Sequence, residues 1–411
     1  MLRGSFPTDS FEGLKTPFYY YDTALLKRTL EVVRSYLSSN PNWRVHYAVK
    51  ANFNPTILRI VSSAGLGADC VSGGEVRAAL DAGFSPADIF FAGVGKSDEE
   101  IRLGLSAGIG RFNVESVEEL AVINDLALEA GLRAPVSFRV NPDIGAHTHA
   151  NITTGLAENK FGISHERIQD VVTSALAMPG IDYKGLHFHI GSQILDMQDF
   201  VALCNRINDI LDRFERAGLP LGDVNVGGGL GINYEHPNHL PVADFDSYFA
   251  TFRKHLSLRD GQMLHFEPGR SIVAPCGTLI SRVLYVKEGA SRRFAIIDGS
   301  MTELIRPALY GAYHRVENIS SDEADELYDV VGPVCESSDV FGRGLMISGC
   351  HRGDFIAIRS AGAYGESMAS RYNLHELPAA VFGQDQDNSS IIARATARDA
   401  PVPPRDSLMA A

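Results

Sequence analysis

The chain has 411 residues, of which 45% are hydrophobic and 21% charged, and its formal net charge is -13. This length allows two domains with a large core. Because no basic stripe offsets the acidic excess, we expect small molecules as partners rather than nucleic acid or membranes. The five cysteines are odd in number and include no Cys-x-x-Cys pair. They therefore predict reduced thiols in a cytoplasmic protein, without a disulfide framework or a zinc ribbon.

Short β-rich segments alternate with helical ones from Trp43 to Arg270. Three strings of capping-box form, starting at Ser72, Ser97 and Ser116, each mark the start of a helix after a strand. Strands are predicted to begin at Trp43 and to occupy 67–71, 88–92, 110–114, 135–141, 183–190, 223–226 and 263–267, with helices at 168–176, 200–217 and 245–256 among others. Alternation of this kind predicts an α/β fold, a (β/α)₈ barrel of about 250 residues.

After Arg270 the pattern becomes that of an all-β domain. Strands are predicted at 278–286, 294–297, 328–334 and 355–358, and Phe18 to Tyr21 is predicted to be a further strand of the same domain. We therefore predict a barrel domain at 26–270 and a β domain at 1–25 plus 271–392. Three prolines and little apolar periodicity predict a mobile tail at 393–411.

Lys50 lies where the first barrel strand ends and Asn54-Pro55 opens a helix. In such a barrel, catalytic groups gather at this rim. An amine held there against apolar neighbours can have its pKa lowered, and it can then attack a carbonyl to form a Schiff base. A single lysine at a strand end is more often an ordinary solvated side chain, so a catalytic role for Lys50 needs support from other motifs of the sequence.

Two glycine-containing loops follow the seventh and eighth predicted strands. They are Gly227 to Gly231 and Glu267-Pro-Gly-Arg270, and these loops commonly form a phosphate site in this barrel. Glycine lets backbone N–H groups approach a phosphate closely, and Arg270 adds positive charge. A tight turn explains the glycines equally well. A dinucleotide fingerprint fits poorly because Ile232 stands where its last glycine is needed.

His187 and His189 end the sixth predicted strand and, being two apart, face the same way. They form either a metal-binding pair or core residues. Since no further carboxylates and histidines complete a ligand set, we predict no metal site, and His187 as a core residue bonded to backbone. Cys335 lies in a turn between a proline and acidic residues. Because most cysteines act as small hydrophobic residues, this context favours a structural role over that of a proton donor.

Several short strings of this sequence occur, in the same order, in a known family. Together they resemble the pyridoxal-phosphate-dependent decarboxylases built on an alanine-racemase-like barrel, and among these most closely the diaminopimelate decarboxylases. The resemblance runs from about Thr16 to Phe382. The strings are His-Tyr-Ala-Val-Lys-Ala-Asn, Ser-Gly-Gly-Glu, His-Phe-His-Ile-Gly-Ser-Gln, Gly-Gly-Gly-Leu-Gly, Glu-Pro-Gly-Arg, Cys-Glu-Ser-Ser-Asp and Gly-Ala-Tyr-Gly.

The resemblance implies pyridoxal 5'-phosphate as cofactor and a role for each matching residue. Lys50 binds the cofactor covalently, His189 stacks on its ring, and Glu267 keeps the ring nitrogen protonated. The implied cofactor-binding set is Lys50, Asp69, His189, Ser192, Gly228, Gly229, Glu267, Pro268, Gly269, Arg270 and Tyr364. The implied substrate-binding set is Arg270, Arg306, Tyr310, Glu336 and Tyr364.

The resemblance further implies a homodimer with shared active sites. Cys335, with Glu336, would enter from the partner subunit, and Cys335 would be the proton donor, although its sequence chemistry alone favours a structural role. The implied catalytic residues are therefore Lys50, Cys335 and His189. All of these are expectations from resemblance and not from spacing.

The implied reaction is decarboxylation of meso-2,6-diaminopimelate to L-lysine and CO₂, the last step of lysine biosynthesis. The planar forks of Arg270 and Arg306 suit a far carboxylate. Relatives acting on ornithine typically carry aspartate where this chain has Glu336, and a diamine precursor would leave a buried arginine unpaired. Alternatives are a sister decarboxylase acting on carboxynorspermidine, ornithine or arginine, an inactive binding paralogue, and a metal hydrolase using the two histidines.

Overall fold

The computed structural model describes residues 4–144 and 160–383 and the backbone of 393–395. In the first part of the chain, the strands are β1 (Phe18–Asp22), β2 (Trp43–Ala48), β3 (Gly67–Cys70), β4 (Ile89–Phe91), β5 (Arg111–Val114), β6 (Ala134–Asn141), β7 (Ile163–Ser164), β8 (Ile181–His187), β9 (Asp223–Asn225) and β10 (Leu264–Phe266). The helices are α1 (Thr8–Phe11), α2 (Thr23–Ser39), α3 (Pro55–Ser63), α4 (Gly73–Asp81), α5 (Asp98–Ala107), α6 (Val117–Glu129), α7 (Ile168–Leu176), α8 (Met197–Arg216), α9 (Phe245–His255) and α10 (Arg270–Val273).

Eight parallel strands close into a barrel. The order β2-β3-β4-β5-β6-β8-β9-β10 returns to β2, where Leu264 pairs with Trp43, while the short β7 is added to β6. The predicted (β/α)₈ barrel is thus confirmed. Because parallel strands present their carboxyl ends at one face, the loops after β2, β8, β9 and β10 meet there.

Serine side chains start three of the helices that follow barrel strands. Ser97 and Glu100 form the complete reciprocal capping box of α5. In α4, Ser72 accepts from the N–H of Glu75, but the Glu75 carboxylate accepts from Val71, one residue before the cap. The same displacement occurs at α6. The predicted helix starts are confirmed, whereas two of the three reciprocal bonds reach one residue further back.

A second sheet follows the barrel and includes β1. Its elements are β11 (Gly277–Glu288), β12 (Arg293–Ile297), α11 (Arg306–Tyr310), β13 (Val316–Asn318), β14 (Asp325–Val331), β15 (Val340–Ser348), β16 (Phe355–Ile358), β17 (Ala379–Gly383) and β18 (Ala393–Ala395). The order is β15-β14-β12-β11-β1-β17-β18, with β16 joining β11 to β13. Since β1 pairs with β11 and β17, the predicted crossing of Phe18 to Tyr21 into this sheet is confirmed.

Of the predicted mobile tail at 393–411, only β18 is described, and its backbone pairs with β17. The rest of that segment lies outside the described residues, so its mobility stays a prediction. None of the described helices is long and apolar enough to cross a membrane.

Candidate active site

Lys50 is fixed by groups from both sheets. It sits in a 3₁₀ turn, Val49–Ala51, directly after β2. The Asn52 side chain donates to the Tyr21 hydroxyl at 2.8 Å and to the Gly362 carbonyl at 2.9 Å, and the Tyr364 N–H donates to the Ala51 carbonyl at 2.8 Å. The turn that carries the lysine is therefore held at a set distance from the β domain.

The Lys50 amine faces a carboxylate. Its Nζ lies 3.8 Å from Asp69 Oδ2, and 41% of the lysine side chain is exposed, against 2% of the aspartate. Burial opposes the charged amine, but the charge of Asp69, together with Tyr364 and Glu267, outweighs burial and raises the pKa of Lys50. The prediction of a lowered pKa is therefore wrong for this structure, and the amine has to lose a proton before it can attack a carbonyl.

Glu267 is the centre of a buried network in the barrel. Its Oε1 accepts from the Asn225 amide at 2.6 Å and from the Asn113 amide at 3.3 Å, and its Oε2 lies 2.9 Å from His187 Nε2. Burial would raise the pKa of Glu267, but the His187 imidazole, the Lys50 charge and the Asn225 amide outweigh burial and hold it well below its usual range. The carboxylate is therefore ionised even though the residue is buried, with only 6% of its surface exposed.

The hydrogen-bond partner of His187 differs from the predicted one. We predicted a core histidine bonded to backbone, whereas its Nε2 bonds to the Glu267 side chain across the barrel. Among the described residues, no group of three or more His, Cys, Asp and Glu side chains is placed to hold a metal ion. His187 thus acts as a partner of a carboxylate here, and the metal alternative finds no ligand set in the described part of the chain.

His189 lies against the first glycine loop. Its Nδ1 accepts a hydrogen bond of 3.3 Å from the Gly228 N–H, so a proton on the neutral ring is on Nε2. Burial, helped by the charges of Arg139 and Lys50, lowers the pKa of His189 well below its usual value. A neutral, half-buried imidazole that faces the cavity is suited to stacking on a flat ring.

The glycines of both loops are required by close packing. A Cβ at Gly227, whose φ is +71°, would lie 2.3 Å from the Phe188 carbonyl, and one at Gly228 would lie 2.2 Å from the Glu267 carbonyl. At Gly269 a Cβ would meet the methyl groups of Ala48 and Ala51 at 3.0 Å. The tight-turn explanation therefore accounts for these three glycines.

Two arginines converge beside these loops on one tyrosine that the sequence did not single out. Nη1 of Arg270 donates to the Tyr234 hydroxyl at 2.7 Å and Nη1 of Arg306 does so at 2.9 Å. Nη2 of Arg270 also donates to Ser192 Oγ at 2.9 Å. Two guanidinium groups held this closely form a site for an anion.

These groups surround one cavity of about 1170 Å³. The predicted site residues that line it are Lys50, Asp69, His189, Ser192, Gly229, Glu267, Gly269, Arg270, Arg306, Tyr310 and Tyr364. Gly228 and Pro268 lie behind the lining, where the Pro268 carbonyl accepts from the Ala48 N–H at 3.2 Å. The structure thus brings together predicted site residues from both sheets around one space.

Cys335 and Glu336 are not part of this cavity. Both are exposed in the loop between β14 and β15, and neither belongs to the cavity lining. Glu336 Oε1 accepts from the Tyr372 hydroxyl at 2.7 Å. Within one chain, the structure therefore leaves the expected proton donor at the surface.

The cavity fits pyridoxal phosphate. Bare glycine backbone and Arg270 suit a phosphate, and the Asp69 Oδ1 and Arg270 Nε atoms are buried without a hydrogen-bond partner among the described residues. An ionised Glu267 suits a protonated pyridine nitrogen, and the amine of Lys50 suits an aldehyde. Lys50, His189, Ser192, Gly229, Glu267 and Arg270 are the residues that would hold the group.

Comparison with known proteins agrees with this geometry. The family model described as pyridoxal-dependent decarboxylase, pyridoxal binding domain, matches residues 26–274. The diaminopimelate decarboxylase of Bacteroides thetaiotaomicron is 60% identical over 377 residues, which cover 92% of this chain and 98% of the relative. That of Archaeoglobus fulgidus is 43% identical over 379 residues, covering 90% of this chain and 88% of the relative.

Solved structures agree as well. The crystal structure of diaminopimelate decarboxylase from Helicobacter pylori complexed with L-lysine matches with a TM-score of 0.87 at 38% identity, covering 92% of this chain and 94% of that chain. The fold is thus shared along nearly the whole length of the chain. The chain therefore belongs to the pyridoxal-dependent decarboxylases and, within them, to the diaminopimelate decarboxylase family.

Proposed function

We propose that the protein decarboxylates meso-2,6-diaminopimelate to L-lysine and CO₂, using pyridoxal phosphate, as the last step of lysine biosynthesis. The observation that carries this proposal is that one cavity contains Lys50, Glu267 and the paired arginines Arg270 and Arg306. A substrate such as ornithine keeps no carboxylate after decarboxylation, so an enzyme that acts on it would not need the second arginine. Meso-diaminopimelate keeps one carboxylate after losing the other, and the arginines give that carboxylate a partner.

The chain's own residues divide the work around the cofactor. When bound, pyridoxal phosphate supplies a sink for the electron pair left as CO₂ departs. Lys50 would hold the cofactor covalently, and ionised Glu267 would keep a proton on the ring nitrogen. His189, whose pKa lies well below its usual value, would pack on the ring without adding a charge that competes with Glu267.

Arg270 links the two halves of the site. Its Nη2 bonds Ser192, in the loop assigned to the phosphate, and its Nη1 bonds Tyr234 on the side of Arg306. Ser192, Gly229, Gly269 and Tyr364 would surround the phosphate, supported from behind by Gly228 and Pro268, and Tyr310, Arg306 and Tyr364 would meet the substrate. A fixed arginine between the two would orient substrate and cofactor relative to each other.

We further propose a homodimer in which Cys335 of the partner subunit returns a proton to the substrate α-carbon and Glu336 of the partner subunit meets the substrate amine. Support comes from the surface next to these residues. Leu374 is 93% exposed with a φ of +60°, and Tyr372, bonded to Glu336, is 48% exposed. A leucine in this strained and solvated position gains most from being covered by a second copy.

The five cysteines agree with the proposal of a cytoplasmic enzyme. All five are free thiols, of which four are buried and only Cys335 is exposed. A protein that needs Cys335 as a thiol is best kept in a reducing compartment. Titration of the denatured protein with a thiol reagent should give five free thiols per chain.

The direct test is release of CO₂ from meso-diaminopimelate by the purified protein, with and without added pyridoxal phosphate and with L-ornithine as the control substrate. We expect L-lysine and CO₂ in equal amounts from meso-diaminopimelate and at most trace release from ornithine. Borohydride should abolish the visible band and leave the cofactor mass on the peptide with Lys50. Faster turnover of ornithine or arginine would replace the proposed substrate.

The shared site is tested by mixing two inactive variants. Lys50→Ala and Cys335→Ala each spoil every site of their own homodimer, whereas a mixed dimer has one site with both residues intact. Random reassortment should therefore restore about a quarter of wild-type activity, since about half of the dimers are mixed. Failure to regain activity after proven exchange of subunits would exclude a site that takes Cys335 from the partner.

A further inference from the structure

The Tyr234 hydroxyl is held in an unusual position between two cations. It follows the first glycine loop, is 9% exposed and lines the cavity. Both of its hydrogen bonds come from guanidinium groups, Arg270 at 2.7 Å and Arg306 at 2.9 Å. No sequence motif singles this residue out, and its role follows from these two contacts.

The two arginine bonds determine the direction in which the Tyr234 hydroxyl can donate. A tyrosine oxygen offers one O–H and two acceptor lone pairs, and guanidinium groups only donate. Arg270 and Arg306 therefore occupy both lone pairs, so the O–H has to point away from both of them. Among the described residues, no acceptor bonds to this proton, although the residue borders the cavity.

The nitrogen of Arg306 that bonds Tyr234 is also fixed by His314. Nδ1 of His314 lies 2.8 Å from the Arg359 carbonyl, which only accepts, so this nitrogen carries the proton. Nε2 is then an acceptor, and it receives Nη1 of Arg306 at 2.9 Å. The His314 ring also packs edge-on against Tyr234, with centroids 5.1 Å apart. Arg306 is thus placed by two neutral acceptors that leave its charge available.

We propose, on the basis of the proposed function, that Tyr234 is a specificity-determining residue: it fixes the two arginines and donates its own O–H to the substrate carboxylate that is retained in L-lysine. A carboxylate seated between the guanidinium groups accepts from both arginines and from Tyr234. Three donors from three separate chain segments then read one carboxylate.

The electrostatics support this assignment. Burial would raise the pKa of Tyr234, but the charges of Arg270 and Arg306 outweigh burial and lower it. The hydroxyl is therefore a stronger donor than that of an ordinary tyrosine. Without it, two buried guanidinium groups would lose a shared acceptor and repel each other.

The test compares two ligands that differ only in the carboxylate. L-lysine keeps it and cadaverine lacks it, and each is titrated against the holoenzyme by competition with meso-diaminopimelate. For Tyr234→Phe we expect L-lysine affinity to fall and the KM of meso-diaminopimelate to rise about tenfold or more, as for a lost hydrogen bond to a charged group. Cadaverine affinity and kcat should change by less than about threefold.

Tyr313→Phe is the matched control. Tyr313 also lines the cavity, but neither arginine bonds to it, so both affinities should stay unchanged. Equal loss of L-lysine and cadaverine in Tyr234→Phe, or loss of neither, would overturn the proposal. Loss of the shared acceptor should lower the unfolding temperature somewhat; unfolding that stays cooperative, together with a dissociation constant of pyridoxal phosphate at the wild-type value, separates a local effect from misfolding.

A double-mutant cycle with Arg306→Gln gives a second, independent measurement. If Tyr234 acts together with Arg306 on one carboxylate, the losses of L-lysine affinity are less than additive. Additive losses contradict the proposal even if each single variant binds poorly. The proposed function fails separately, since it falls if the wild-type enzyme releases no CO₂ from meso-diaminopimelate or turns over ornithine or arginine faster.

Discussion

The barrel interior holds two polar networks, one above the other, built by the same three strands. The upper network is Asn113, Asn225 and Glu267, and the lower one is formed by residues two positions earlier on the same strands, Arg111, Asp223 and His265. Residues two apart in a strand face the same way, so the two sets form successive layers. One layer borders the cavity and the other lies towards the amino ends of the strands.

The two layers differ in the groups that bond their carboxylates. In the lower layer, Asp223 bonds Arg111 at 2.8 Å, so its charge is cancelled within the layer. In the upper layer, Glu267 is bonded by two uncharged amides and the His187 imidazole. Amides stabilise an anion without neutralising it. The upper carboxylate therefore keeps a charge for a bound cationic ring, whereas the lower one serves the barrel itself.

The comparison predicts that changes at the upper end remove chemistry and leave the fold. The largest effect is expected for Lys50→Ala, because no other group at that turn can bind the cofactor covalently. We expect kcat to fall by at least about a thousandfold, measured as CO₂ release in saturating pyridoxal phosphate. Lys184→Ala is the control, since Lys184 has a similar exposed fraction of 40% and also pairs with one aspartate. Wild-type rates for Lys50→Ala would refute the assigned role.

How far the sequence anticipates this structure depends on the range of each interaction. Helix Ile168–Leu176 and strand Phe355–Ile358 are predicted to the residue because their patterns are local. The partner of His187 could not be predicted, since Glu267 is 80 positions away. Tyr234 was missed for the same reason, as its arginines lie 36 and 72 positions further on. Only closure of the barrel brings such groups together.

Glu267→Gln tests the charge of the upper layer. The amide keeps the shape but cannot hold a proton on the ring nitrogen, so we expect kcat to fall by about a hundredfold or more. Cofactor still binds through Lys50, and the unfolding midpoint should stay near that of the wild type. A variant that loses stability but keeps its turnover number would mean that the two layers do not differ in role.

Asp223→Asn is the corresponding change in the lower layer, and the opposite result is expected. Removing the carboxylate leaves Arg111, with 8% of its side chain exposed, without its ion-pair partner. The free energy of unfolding should fall by about 3 kcal/mol, measured in urea, while kcat changes by less than about twofold. As a control, Asp182→Asn breaks an exposed pair and should cost less than about 1 kcal/mol. Selective loss of activity in Asp223→Asn would contradict the division of roles.

The smallest effect concerns pH and sharpens the picture of the lower layer. His46 joins it through His265 Nδ1 at 3.0 Å, and burial lowers its pKa from 6.5 to about 3. Because the unfolded state binds the proton more tightly, His46 stabilises the fold fully above about pH 6.5 and progressively less as pH falls towards 3. In His46→Gln, the slope of unfolding free energy between about pH 4.5 and 6.5 should decrease by up to one proton.

His351→Gln is the control for that slope. Its pairing with Glu323 raises the pKa of this exposed histidine, so its stabilisation has the opposite sign, being present at low pH and lost as pH rises through the raised pKa. Its removal should not flatten the acid slope. An unchanged slope in His46→Gln would show that the ring is not held neutral in the folded protein.

The anchoring of the Lys50 turn has a consequence for the order in which the site forms. The turn is fixed through Asn52 and Ala51 by Gly362 and Tyr364, and Gly362 lies 310 positions after Asn52 in the sequence. Closure of the barrel therefore does not complete the surroundings of the amine, because the segment that fixes its turn belongs to the second sheet. Covalent capture of the aldehyde thus depends on docking of the two domains as well as on the barrel.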